Sequence, residues 1–190
     1  VSKGWLPVPA GETELVVGDL TVPASVRVYT SVRCFDAVGN IAVGSTDGFI
    51  RDATVPVLAS TGIRAGVTTA IDPKTGTVDL AAPSRPFTAS PSELGARFPG
   101  VTDPESGVSS FYVGASSSPL VSADLDVLPL QQSGPLPWAL LSGLNLTAGS
   151  TYYVHVRAYN GAGLYSDFVS PGITVDSTPA ICDFVRVFNP

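Results

Sequence analysis

Shifted by 124 residues without gaps, this chain overlies itself. Tyr29-Thr-Ser-Val32-Arg33-Cys-Phe-Asp-Ala-Val-Gly39 lies over Tyr153-Val-His-Val156-Arg157-Ala-Tyr-Asn-Gly-Ala-Gly163, and the register continues through Gly48 over Gly172, Asp52 over Asp176 and Thr54 over Thr178. Seven of the 27 positions between Val28 and Thr54 are identical, and most others keep their character. A spacing this long implies whole domains in tandem, because solenoid units repeat every 20–50 residues or so. The expected division is residues 1–53 as the C-terminal part of one domain, 54–177 as a complete one and 178–190 as the first strand of a third. The joints, Asp52-Ala-Thr-Val-Pro56 and Asp176-Ser-Thr-Pro179, are too short for flexible linkers, and proline fixes φ in each.

Within the repeat, Tyr152-Tyr-Val154-His-Val156-Arg-Ala158 alternates large or apolar with polar side chains, the period of a half-buried strand. Asn160-Gly161-Ala-Gly163 turns the chain, since Asn and Gly tolerate positive φ. A second strand follows over 166–175, and 28–35 and 42–51 repeat the hairpin in the first unit. Composition agrees with strands rather than helices: 19 glycines and 17 prolines punctuate the 190 residues, and there is no methionine. The fold class expected is all-β, as tandem antiparallel β-sandwiches. A net charge of −6 argues against nucleic acid, which needs a basic face. No apolar run reaches the ~18–20 residues that would span a bilayer.

Leu146-Thr-Ala-Gly149-Ser-Thr-Tyr152-Tyr-Val-His-Val-Arg-Ala158-Tyr-Asn160-Gly-Ala-Gly163-Leu-Tyr-Ser166 resembles strand F and the F–G hairpin of a fibronectin type III domain, an immunoglobulin-like β-sandwich. The resemblance covers about 35 residues strongly, twice, and implies structural roles. Leu146 and Tyr152 would form the tyrosine corner that pins the E–F crossover. The first unit has Val28 at the corner position, so its hydroxyl bond should be absent. Phe98 takes the place of the family's strand-B tryptophan, Asp103-Pro-Glu105-Ser-Gly107-Val108 resembles a B–C turn, and Ser110–Ala115 would be strand C. Trp138 is expected near strand E, with Trp5 as its counterpart. The complete unit exceeds the usual ~100 residues. The excess is assigned to a long A–B excursion between Gly66 and Arg97, where Pro73, Pro83, Pro86 and Pro91 should interrupt any strand.

Residues that could carry chemistry are few. His155 is the only histidine, and the alternation of Val154 and Val156 turns it outward, as a surface strand residue without catalytic context. Asp103 and Glu105 offer two carboxylates in one turn, a calcium candidate, with Asp52 and Asp176 at the joints. There is no dense Asp-x-Asp ladder, and aspartate at a turn start ordinarily caps its own backbone. Asn145-Leu146-Thr147 is the one N-glycosylation sequon, with Asn145 expected outward; the Ser/Thr/Pro stretch over 82–92 could carry O-glycans or be a plain surface excursion. Cys34, aligned with Ala158, should be a small buried hydrophobe. Cys182 lies a whole domain away, so a disulfide between the two is not expected, and any partner of Cys182 would lie downstream. Leu125-Asp126-Val127 matches a short integrin-type tripeptide too unspecific to use.

These expectations combine into a non-catalytic structural or adhesive segment of a large secreted or cell-surface protein. It would act as spacer and assembly module in a filament, matrix or surface appendage, touching neighbouring domains, other copies or other matrix proteins. No enzyme activity, nucleic acid or membrane contact is expected of it, and no cofactor beyond possible calcium. Two rivals stay open: a module recognising a protein or glycan through its B–C and F–G loops, with Tyr159 and Tyr165 as the aromatic candidates, or an accessory domain of a secreted enzyme.

Overall fold

A computed structural model describes residues 3–9, 11–59, 62–66, 75–121 and 124–181. Among these there is no helix, and hence none long enough to cross a membrane; the class is all-β. The chain divides into two compact units, Val1–Thr54 and Val55–Pro190.

The second unit holds a two-layer core. One layer is a three-stranded antiparallel sheet in the order β12 (Trp138–Ser142), β8 (Glu93–Arg97), β6 (Arg64–Ala65). The other runs β11 (Leu128–Gly134), β10 (Val108–Ser116), β13 (Thr151–Asn160), and β13 carries β14 (Tyr165–Val169) along one part of its edge and β15 (Ile173–Val175) along another. Alternation decides what each strand contributes. Phe111, Val113 and Ala115 of β10 and Val154, Val156 and Ala158 of β13 meet Leu94, Ala96, Ala139 and Leu141 of the smaller sheet in one buried cluster. Phe98, fully buried, packs against Phe111 with ring centroids 4.6 Å apart and planes tilted by 57°. Two short strands, β5 (Val57–Leu58) and β9 (Val101–Thr102), pair antiparallel, while β7 (Phe87–Thr88) joins β15 in parallel.

The prolines do not clear 66–97 of strands. Five residues free of proline, Glu93–Arg97, form the central strand of the smaller sheet, and Phe87–Thr88 pairs between Pro86 and Pro91. Gly66 and residues 79–83 of this excursion are held by Arg97, whose side chain is fully buried. Its guanidinium donates from Nε to Gly66 O at 2.8 Å, from Nη1 to Asp79 O at 2.7 Å and Ala82 O at 2.8 Å, and from Nη2 to Pro83 O at 2.9 Å. Burial, and then the nearby Arg64, lower its pKa from the ordinary arginine value; Asp79 opposes them. Pro73 lies outside the described residues.

The first unit comprises β1 (Arg27–Val28) paired with β4 (Phe49–Ile50) and β2 (Ser31–Phe35) paired with β3 (Ile41–Ser45). Its registers match the second unit's after the 124-residue shift: Ser31 faces Ser45 as His155 faces Val169, and Val28 faces Phe49 as Tyr152 faces Ile173. The turns match too, with Asp36 O accepting from Gly39 N at 3.1 Å and Asn160 O from Gly163 N at 3.2 Å. What differs is cover. Val156 and Ala158 are 1% and 0% exposed, whereas their counterpart Val32 is 56% exposed and Cys34 is also exposed. The expectation of a buried Cys34 is therefore corrected: β13 is flanked by β10 and faced by the smaller sheet, and among the described residues β2 pairs only with β3. Of the expected third domain, Cys182 and the residues after it lie outside the described residues.

Candidate functional site

In the turn between β12 and β13, Leu146 is buried and the Thr147 N–H donates to the Tyr152 hydroxyl at 3.0 Å. This fixes the loop that carries Asn145, which is exposed, as is Thr147. The sequon is therefore presented to solvent.

Asp103 is occupied by its own turn. Its Oδ1 accepts from the Glu105 and Ser106 amides at 3.1 and 2.9 Å, and its Oδ2 from Asn160 Nδ2 at 3.2 Å. The carboxylate thus ties the turn between β9 and β10 to the turn between β13 and β14. Asp52 and Asp176 likewise cap the Thr54 and Thr178 amides, each at 3.0 Å. No group of three metal-ligating side chains occurs among the described residues.

His155 does turn away from the core, as alternation requires, yet it is not a surface residue: it is 4% exposed. Residues beyond β10 fold back over the outer face of the sheet and cover it. His155 Nε2 lies 2.8 Å from Ser116 Oγ and 3.2 Å from Ser118 O. Asp126 closes the fold-back by accepting from Ser117 N at 2.9 Å and Ser117 Oγ at 2.7 Å. Gly114 permits it, because a Cβ there would lie 2.7 Å from both Leu125 Cδ1 and Leu128 O. Gly114 carried a signal for this cover, but a strand period alone reports direction and not depth. The Asp126 of the integrin-type tripeptide is engaged in the same turn.

Beside this cover the outer face stays open. Arg157 and Asp167 face each other across β13 and β14 and form a bidentate ion pair, Nε–Oδ1 at 2.7 Å and Nη2–Oδ2 at 2.8 Å. The bonds it donates to Asp167 are the main reason the Arg157 guanidinium is held above the ordinary arginine pKa. Arg157 Cζ sits 4.2 Å from the Tyr165 ring centroid. Tyr112, Tyr159 and Tyr165 run in a row across β10, β13 and β14, with centroids 5.4 and 5.3 Å apart. A groove of about 240 Å³ adjoins the ion pair, walled by Val121, Leu125, Leu130 and Phe168. Tyr159 and Tyr165 are visible in the sequence as aromatics near the hairpin turn. Tyr112 belongs with them only through strand pairing, 47 residues away from Tyr159 in sequence. A scan of protein-family models and a search of curated proteins match nothing to this chain.

Proposed function

We propose that this chain is a non-catalytic structural segment of a large secreted or cell-surface protein, built from fibronectin type III-like sandwiches in tandem and serving as spacer and assembly module. The observation that carries this reading is the hairpin recurring after 124 residues with the same register, once within a two-layer core and once with its apolar side chains exposed. The strand order β12-β8-β6 against β11-β10-β13-β14 supports the type III resemblance, as does the bond between Thr147 and the Tyr152 hydroxyl. Side chains suited to acid–base work are engaged structurally, His155 with Ser116 and Asp103 with its turn, which favours a scaffold over an enzyme. The exposed edge and apolar face of β2–β3 favour association with neighbouring domains or other copies.

Light scattering of the chain across a concentration series tests the assembly role. Mass rising above 19.5 kDa with concentration, and falling back in a Val32→Lys variant, is the expected result. A strictly monomeric chain at several hundred micromolar would refute it. Occupancy of Asn145, read by mass spectrometry after expression through a eukaryotic secretory pathway, tests the extracellular assignment.

A further inference from the structure

We propose that the outer face of β10, β13 and β14 binds carbohydrate, taking neutral pyranose units of an extended polysaccharide. The argument begins with which side chains the strands place there. Phe111, Val113, Val156 and Ala158 are consumed by the core, so alternation puts Tyr112, Arg157, Tyr159, Tyr165 and Asp167 together on the opposite side. Registers fix their neighbours: Tyr112 opposite Arg157, Arg157 opposite Asp167 and Tyr159 opposite Tyr165. Tyr165 remains 47% exposed, and Tyr112 and Tyr159 are half-buried.

The chemistry of this patch selects its occupant. Three tyrosine rings in a row, Tyr159 tilted 63° against Tyr112 and 47° against Tyr165, give an apolar strip with polar tips. The Arg157–Asp167 pair adds a planar fork of donors and a set of acceptors while leaving no net charge. An anionic polymer would need unpaired cations, and a cationic one unpaired carboxylates, so electrostatic complementarity favours an uncharged ligand. That ligand must combine an apolar face with a rim of hydroxyl groups, which is the chemistry of a pyranose ring. The adjoining groove of about 240 Å³ continues the surface past the ion pair, so the site is elongated and suits a chain of sugars better than one. This inference is independent of the assembly role, which is assigned to β2–β3.

Affinity electrophoresis of the full chain through gels containing hydroxyethylcellulose, xyloglucan, galactomannan or mixed-linkage β-glucan tests it, with alginate as the acidic comparison. At least one neutral gel should retard the protein. A hexasaccharide of that polymer should perturb the tyrosine ultraviolet spectrum. Tyr165→Ala and Tyr159→Ala should each weaken binding at least about tenfold, whereas Tyr165→Phe should stay within about threefold. Because Tyr165 is largely outside the core, its alanine variant should keep the wild-type melting transition, which confirms the fold independently. Three results would overturn the proposal: no retardation in any neutral gel, retardation by alginate alone, or wild-type retardation of the folded Tyr165→Ala variant.

Discussion

Replacing Arg97 separates the excursion from the sandwich beneath it. The guanidinium donates to four backbone carbonyls drawn from Gly66 and from 79–83, and it is fully buried. Each hydrogen bond to a charged group contributes about 1.5–3 kcal/mol, and dehydrating the ion takes back several kcal/mol. The net loss for Arg97→Ala is therefore expected at about 3–5 kcal/mol, the range for breaking a buried charged network. Arg97→Met keeps most of the stem and removes the donors, so it isolates the hydrogen-bond contribution and should cost about 2–4 kcal/mol. Trp138 lies directly opposite Arg97 on β12 and reports on the site. In a Trp5→Phe background, urea titration followed by Trp138 emission and far-ultraviolet dichroism should show a lower midpoint at unchanged slope. With a slope of about 1–3 kcal/mol per molar, the alanine variant's midpoint falls by roughly 1–5 M. Trypsin should also cut the variant faster at Arg85. An Arg97→Met protein within about 1 kcal/mol of wild type would refute the claim that these carbonyls depend on the guanidinium.

Tyr152→Phe removes the acceptor of the Thr147 amide and should cost about 1 kcal/mol by urea titration, with little change in fold. Bonds from Ser117 hold the Asp126 carboxyl below its ordinary 3.8. A depressed folded pKa gives stability that is complete above the unfolded value and lost as pH falls through the folded one. Melting temperature should therefore drop below about pH 4, and Asp126→Asn should flatten that part of the profile. Residues 55–181 alone should unfold in one cooperative transition. Residues 1–54 alone, with Phe35 and Val43 each 60% exposed, should show none by calorimetry.

Periodicity made the hairpins legible because alternation and turns such as Asp36–Asn40 and Asn160–Gly163 are local properties. Tyr152 at its corner could be placed for the same reason, as its partner Thr147 is five residues away. Depth was less accessible. His155 points where its neighbours require, but its cover comes from residues 37–39 positions earlier, through Ser116 and Ser118. Cys34 shows the converse: its strand pattern is that of a core strand, while burial depends on strands that β2 does not have among the described residues. Nothing in the sequence marks Arg97 as buried, because arginine in a strand ordinarily signals solvent. Only the carbonyls of a distant loop make its burial favourable. The tyrosine row was half visible, since register across β10 and β13 cannot be read from either strand alone.

The parallel pairing of β7 with β15 bears on how the second unit would carry load. If tension enters ahead of β5 and leaves past Asp176, the two-residue pairings of β5 and β6 meet it first. Freeing them, once the Arg97 grip opens, lets the chain between β6 and β7 extend to at most roughly 70 Å at ~3.3–3.6 Å per residue. Extension should then stall at β7 and β15, whose bonds lie side by side: Thr174 N to Pro86 O at 2.7 Å and Asp176 N to Thr88 O at 2.8 Å. Bonds sheared together resist more than bonds peeled in turn, so under such a load the β7–β15 pairing would yield after those of β5 and β6.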